Sequence, residues 1–371
     1  MSNDDFPDML DTIGGMGLSF LRDTCIPPLL KWPGGKADDL KILWGYPELF
    51  PSSPQRYFEP FVGGGAAWRS LAMPRLFAND LCQDLIQFYG CIRDSNADFY
   101  KAIEKMDHAW RLLHDWAREY REPVLAGQVE ELPLSGTDFD RMALGDGLRE
   151  VMQKVVPAKA LRIQHVGDLP SLEDRRQNAE SALKAAYYTH VRDLLNSTEH
   201  GPLRVALFYF IREFSFSSMF RYNDVGDFNV PYGGISYNKR MPGARVTHWK
   251  SWVVKDLLSK TTFGNFDFEV FLDQHEPGPE DFVFVDPPYD ESPSTYDNHD
   301  FDAEDQARLA SWLRKSKCSF MLVVKTTPLM LKLYPENKDG VKHWRYPKQY
   351  SMSYRDRNEQ KVEHLVVYRC P

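Results

Sequence analysis

The 371-residue chain holds no run of about 18 uncharged apolar residues, and its mean hydropathy is −0.48, which excludes a membrane-spanning helix. Cysteine is scarce. The five present (Cys25, Cys82, Cys91, Cys318, Cys370) are odd in number and form no C-x-x-C pair, so neither a disulfide framework nor a zinc spacing is on offer and no metal is expected. A basic leader is lacking too: the opening MSNDDFPDML is acidic, so a reducing cytoplasm is the expected location. No repeat or low-complexity tract occurs, and 43% hydrophobic with 26% charged residues excludes wholesale disorder. A net charge of −8 argues against uniform coating of nucleic acid, but the charge is segregated. Residues 201–260 hold nine Lys/Arg against four Asp/Glu, 341–371 seven against three, and 262–310 one against fourteen. That asymmetry suits a basic binding face beside an acidic region, and equally a solvated surface of mixed sign.

The pattern divides the chain. Residues 1–26 read as a tail. From 27 to 94 short strands, Gly-rich turns and helices alternate: RYFEPF and RLFAND as strands, AAWRSLAM and LCQDLIQFYGCIRD as helices. From 95 to 259 the texture is mostly helical, with DFYKAIEKMDHAWRLLHDWAREY, a helix N-capped by Ser171, and GPLRVALFYFIREFSF, and a polar, Gly/Pro-containing stretch over 121–170. Tyr222–Lys239 reads as a hairpin or long loop. From 260 to 371 DFVFVD, CSFMLVVKTT and HLVVYRC are strands, and FDAEDQARLASWLRKS is a helix. The expected fold is therefore one α/β domain (27–94 and 260–371) split by an inserted, mostly helical domain (95–259).

Four motifs carry chemistry. Asp286-Pro287-Pro288-Tyr289 comes directly after a fully apolar strand, at the edge where ligands of open α/β sheets bind. The prolines fix the backbone and leave the Pro287 carbonyl as a rigid acceptor. An acid, a carbonyl and an aromatic face suit a planar amine that donates two hydrogen bonds and stacks, such as the exocyclic amine of a nucleobase. Phe61-Val62-Gly63-Gly64-Gly65 makes a strand-to-helix turn, and Asp80 ends the next strand fifteen residues after Gly65, where an acid would grip ribose hydroxyls. Trp68 occupies the third glycine position of G-x-G-x-x-G, which weakens a nicotinamide reading. Lys31-Trp32-Pro33-Gly34-Gly35-Lys36 fails as a phosphate loop, with Leu30 at the first glycine and Ala37 after the lysine, but suits a zwitterionic ligand tail. Arg221, Asn223, Asn229 and Tyr232, with Lys239 and Arg240 beyond them, are side-chain types that read base edges and hold phosphates.

In their order KWPGGK, EPFVGGG, AND, RYN-x-x-G-x-FNVPYG, Asp267-Phe268, DPPY and KVEHLVVYRC, these elements resemble the DNA adenine methylase (Dam) family, the D12 class of N6-adenine methyltransferases. The resemblance spans about 28–371 and leaves 110–200 unmatched. It implies a Rossmann-like sheet binding S-adenosyl-L-methionine (AdoMet), with a target-recognition domain as the insert. Trp32, Gly34, Gly35 and Lys36 would line the cofactor site, Phe61 to Gly65 would pass under its methionine part, and Asp80 would hold its ribose. Asp267 and Phe268 would flank its adenine. Asp286, Pro287, Pro288 and Tyr289 would hold the target base, and Arg221, Asn223, Asn229, Pro231, Tyr232, Lys239 and Arg240 would meet double-stranded DNA. A cognate restriction endonuclease is a candidate partner, and a monomer or weak dimer the expected state. Lys325-Thr326 departs from the Ser-Asn-like pair typical of the family. A salt bridge, a DNA phosphate or a carboxylated AdoMet donor transferring carboxymethyl would each account for the lysine. The other readings are methylation of cytosine N4, RNA adenine or a glutamine amide, a non-catalytic DNA-binding relative, and a nicotinamide oxidoreductase.

Overall fold

The computed structural model describes residues 22, 25–167, 169, 171–288, 301–348 and 362–370. Seven strands form one sheet: β1 (Tyr57–Glu59), β2 (Leu76–Asn79), β3 (Thr261–Gly264), β4 (Phe282–Val285), β5 (Ser319–Lys325), β6 (Lys342–Lys348) and β7 (Val362–Arg369). Their order is β3-β2-β1-β4-β5-β7-β6. Six strands run parallel, and β7 alone is antiparallel to both neighbours, β5 and β6. The sheet grows from β1 towards β2 and β3 on one side and from β4 towards β5 on the other. The carboxyl ends of β1 and β4 therefore flank the switch point of the sheet.

β4 is FVFV with all four residues buried, as a strand covered on both faces must be. Phe58 and Phe77 stack at 4.7 Å across β1 and β2. The helix Ala303–Lys315 buries Leu309, Ala310 and Leu313 against this core. Asp302 caps it in a reciprocal capping box with Asp305, and Arg314 and Lys315 end it, so both termini suit the helix dipole. The expected helix over AAWRSLAM is a single 3-10 turn, Trp68–Ser70. The chain must enter β2 at Leu76, two residues after Pro74, and has no length for more.

The chain divides into two compact units, and their borders differ from the expected 94/95 and 259/260. The sheet unit comprises residues up to Pro28, Gly34–Ile86 and Asp256–Pro371, and the helical unit comprises Leu29–Pro33 and Gln87–Lys255. Aromatic packing moves the first border. Phe88 sits against Phe99, Tyr209 and Trp249 of the helical unit, and the Trp249 indole donates to the Leu29 carbonyl at 2.8 Å. The end of the expected tail is anchored as well: Ile26 is buried, and the Arg22 amide donates to the Ser70 carbonyl at 2.9 Å.

Within the helical unit, helices Ala97–Glu119, Leu172–Ser197 and Pro202–Phe214 surround Trp110, whose ring meets Tyr187, Phe210, Phe214 and Tyr232. Ser171 caps the second of these, accepting from the Asp174 amide as expected. The polar, Gly/Pro-containing stretch 121–170 contains helices Arg121–Ala126, Thr137–Met142 and Leu148–Val166. Leu148, Met152, Val156 and Ala160 are all buried at a spacing of four, a helical signal masked by Pro157 in the same helix.

Ser217 and Ser218 both have left-handed backbones, φ 52° and 51°, and the buried Ser218 hydroxyl has no hydrogen-bond partner among the described residues. That conformation costs a non-glycine residue about 1 kcal/mol. Ser218→Gly is therefore expected to stabilise the protein by about 1 kcal/mol, read as a rise of about 2–4 °C in Tm by calorimetry; an unchanged or lower Tm contradicts it.

Candidate active site

β1 and β4 lie side by side, Tyr57 opposite Phe282 and Phe58 opposite Val283, so the segments that leave the two strands share one end of the sheet. Asp286 comes directly after β4, with its side chain 21% exposed. Lys36, almost fully buried, places Nζ 2.7 Å from Asp286 Oδ1. Burial pushes the Asp286 carboxyl up, Lys36 pulls it back, and the net position is above the usual carboxylate range. The expected place of Lys36 is along the cofactor; the fold sets it against the acid of the DPPY motif. Pro287 is buried, and the Pro288 carbonyl accepts from Gln306 Nε2 at 2.9 Å. Tyr289 lies outside the described residues. Gln306 is absent from the expected site, yet its signal exists: it is a polar residue in the buried stripe Gln306, Leu309, Ala310, Leu313.

The loop after β1 leaves the same end of the sheet. Gly63 and Gly65 take φ 45° and 65°. The Gly63 amide donates to Asp80 Oδ2 at 2.9 Å and the Cys82 amide to Oδ1 at 3.0 Å, so Asp80 ties the ends of β1 and β2 together. Trp68 explains the departure from G-x-G-x-x-G. Its ring is fully buried against Gly65, where an added Cβ would lie 2.5 Å from Cε3, and its indole donates to Thr261 Oγ1 at 2.8 Å.

Glu59 ends β1, inside the EPFVGGG element. It is buried, and one oxygen accepts from the Tyr57 hydroxyl at 2.6 Å and from the Trp68 amide at 3.0 Å. Burial, with a further push from Asp286, drives its carboxyl up to about 8. The unfolded chain releases this proton near 4.5 and the folded chain keeps it to about 8, so the contribution to stability is full below pH 4.5 and is lost as pH rises towards 8. Glu59→Gln keeps both accepted hydrogen bonds without the charge. It is expected to raise Tm at pH 8 and flatten the fall in Tm between pH 5 and 8; a parallel pH profile contradicts this.

Asp267 caps the helix Phe268–His275, its Oδ1 accepting from the Glu269 amide at 2.9 Å and from Arg308 at 2.7 Å. Phe268 is buried beside Phe61 and Phe301, with the Arg308 guanidinium 4.9 Å from its ring centroid. Of the two rings expected near the cofactor, the half-buried Phe61 is the more exposed.

KWPGGK is shared between the units: Trp32 packs at 5.1 Å on Phe220 in the helical unit, while Gly34 and Gly35 are exposed and Lys36 is buried in the sheet unit. In the hairpin region Arg221 is exposed, but its guanidinium is held by the Asn229 side chain (2.6 Å) and carbonyl (2.8 Å). Asn223 is exposed too, but its Oδ1 accepts from the Asp227 amide at 2.8 Å, so both asparagines shape the segment. Asn196 clamps Phe228 through both amide groups. Tyr232, expected at the DNA, is buried with its hydroxyl donating to Asn238 at 2.9 Å, because its ring completes the packing around Trp110. Pro231, Lys239 and Arg240 are exposed. Lys325 ends β5 opposite His364 of β7.

A largely parallel sheet with acids and a glycine turn gathered at its switch point is the architecture of an α/β enzyme. The family profile of the D12 class N6 adenine-specific DNA methyltransferases matches residues 32–119 and 155–352, more than half of the chain. The type II methyltransferase M.MjaIII of Methanocaldococcus jannaschii is 27% identical over 300 residues, covering 78% of this chain and 80% of its own. The type II methyltransferase M.CviBI of Paramecium bursaria Chlorella virus NC1A is 22% identical over 349 residues, covering 92% and 98%. The DNA adenine methylase of Vibrio cholerae is 26% identical over 207 residues, covering 54% and 68%. The chain belongs to the D12 class of N6 adenine-specific DNA methyltransferases. It is a transferase whose substrate is DNA and whose acceptor is the adenine amine. Among the described residues no helix is long and apolar enough to cross a membrane, and no group of three or more His, Cys, Asp or Glu could hold a metal ion.

Proposed function

We propose that the enzyme takes its methyl group from AdoMet held along the ends of β1, β2 and β3 and passes it to an adenine turned out of duplex DNA. The observation that carries this reading is the Lys36–Asp286 pair at the end of β4. The residues present fit the donor. Asp80 accepts from the Gly63 and Cys82 amides, and a carboxylate there is an acceptor suited to a ribose hydroxyl. Asp267 offers acceptors for an exocyclic amine, and Phe61 an aromatic edge. When bound, AdoMet supplies an electrophilic methyl on a sulfonium.

The protein's own part is to hold the amine. Extrusion of the adenine costs a few kcal/mol, offset by contacts in the pocket. The Asp286 carboxylate and the Pro287 carbonyl accept the two N6 hydrogens, drawing the nitrogen lone pair out of ring conjugation. Lys36 keeps Asp286 ionised and oriented. The proton that N6 sheds on methylation leaves along its hydrogen bond to Asp286. Tyr289, the last residue of the motif, would stack on the base. Catalysis then rests on positioning and preorganised charge. Arg221, Lys239 and Arg240 hold the duplex, with Asn223 and Asn229 setting the shape of the hairpin.

The reading is tested by modified-base sequencing of DNA from cells expressing the chain, with equilibrium dialysis against AdoMet. N6-methyladenine at one short sequence and saturable AdoMet binding are expected. Methylation of cytosine, a carboxymethyl product by mass spectrometry, or absence of AdoMet binding overturns it.

A further inference from the structure

Behind Lys36 lies a cluster of ionisable groups for which methyl transfer has no direct use. Asp39 is fully buried in the first turn of the helix Ala37–Leu43, whose N-cap is Lys36. Its Oδ2 accepts from Lys348 Nζ, and its Oδ1 accepts from the Tyr346 hydroxyl. His364 Nδ1 lies 3.4 Å from Asp39 Oδ1 and 3.1 Å from the Tyr346 oxygen, so Nδ1 carries the hydrogen towards two acceptors. Tyr346 and His364 face each other across β6 and β7. Burial opposes ionisation of Asp39, yet the hydrogen bonds from His364, Lys348 and Tyr346 hold it well below the usual carboxylate range.

Such a cluster is a poor source of stability, since apolar side chains of the same volume commonly do as well. Its use is in fixing a position. The helix Ala37–Leu43 has seven residues, too few to hold its own start, and Lys36 makes no side-chain cap to it. Leu40 and Leu43 bury one face, but Asp39 is the buried charged group that ties the first turn to two strands of the sheet.

We propose that Asp39, gripped by Lys348, Tyr346 and His364, is a positioning residue that holds Lys36 against Asp286. The proposal rests on the reading of Asp286 as the carboxylate that holds the target amine. The titratable groups around Asp286 are Lys36 and Asp39 from the start of this helix, Lys348 from β6, and Glu59 and Tyr57 from β1. Two effects of losing Asp39 oppose each other. Removing its negative charge alone would let the Asp286 carboxyl ionise more easily. Loosening Lys36, at 2.7 Å the nearest cation, makes ionisation harder. The proposal requires the second to win.

The experiment compares the full-length wild type with Asp39→Asn, Tyr346→Phe and Asp286→Ala. It reads single-turnover methyl transfer to duplex DNA, AdoMet binding by calorimetry, and the pH–rate profile. Asp39→Asn is expected to slow transfer at least tenfold, keep AdoMet affinity within about threefold, and move the acid limb to higher pH. Tyr346→Phe keeps the Asp39 charge and is expected to do the same to a smaller extent. An acid limb that stays in place or moves to lower pH overturns the proposal, as does a wild-type rate. Should Asp39→Asn fail to fold, Tyr346→Phe decides alone: a wild-type rate and profile overturn it. Turnover by Asp286→Ala overturns instead the assignment of Asp286, and is read separately.

Discussion

Asp286→Ala is expected to lower methyl transfer to DNA by about a thousandfold or more while leaving AdoMet binding within a few-fold of wild type. The loss is large because the acceptor geometry is built from few groups. Removing one preorganised hydrogen-bonding group costs on the order of a hundred- to a thousandfold in turnover, and in the proposed mechanism the same group also receives the proton that N6 sheds. The substitution has a second consequence. Lys36 is 4% exposed and loses a carboxylate partner at 2.7 Å, which removes an opposite charge in direct contact with a buried ammonium. A fall in Tm is therefore expected with Asp286→Ala, and Asp286→Asn separates the two effects. It keeps the shape but turns an acceptor towards two donors into a partial donor, so it too is expected to be inactive. Single-turnover kinetics with dialysis against AdoMet checks both. Near-normal transfer by either variant removes Asp286 from the reaction.

Gly65→Ala is expected to be the most damaging conservative change at the cofactor end. At φ 65° the left-handed backbone costs an alanine about 1–2 kcal/mol. Its Cβ would lie 2.5 Å from the Trp68 ring, which cannot retreat because its indole bonds Thr261 and its amide bonds Glu59. Overpacking of that kind costs a further 1–3 kcal/mol or so. A fall in Tm of about 5–10 °C is expected. AdoMet affinity is expected to drop at least tenfold, because the loop that must shift carries Gly63 and its bond to Asp80. Wild-type melting with weakened binding would place the effect at the ligand alone; wild-type values of both contradict the prediction.

Much of the fold is legible because local patterns carry it. Four apolar residues ending in a carboxylate make a covered strand with its acid at the sheet edge, and FVFV–Asp286 behaves so. Ser171 and Asp302 announce the starts of their helices by the hydrogen bonds their side chains form. Local pattern fails where a distant partner decides. Trp68 reads as a misplaced glycine until Thr261, nearly two hundred residues away, holds its indole. Tyr232 reads as a residue for base edges, but the rings around Trp110 claim it for the core.

The sequence alone determined the chemistry on offer: an acid fixed before two prolines, a glycine turn after a strand, an Arg-Tyr-Asn segment, and the family these define together. Those signals are contiguous, and backbone stiffness or permissiveness writes them into a few neighbouring residues. Only the tertiary structure decided that Lys36 pairs with Asp286, that burial pushes the Glu59 carboxyl up, and that Asp39 is gripped from β6 and β7. Each depends on burial beside a charge from far along the chain. The free energy of an ionisable group is set by the charges and hydrogen bonds that the fold brings within a few ångströms of it, and linear order does not record them.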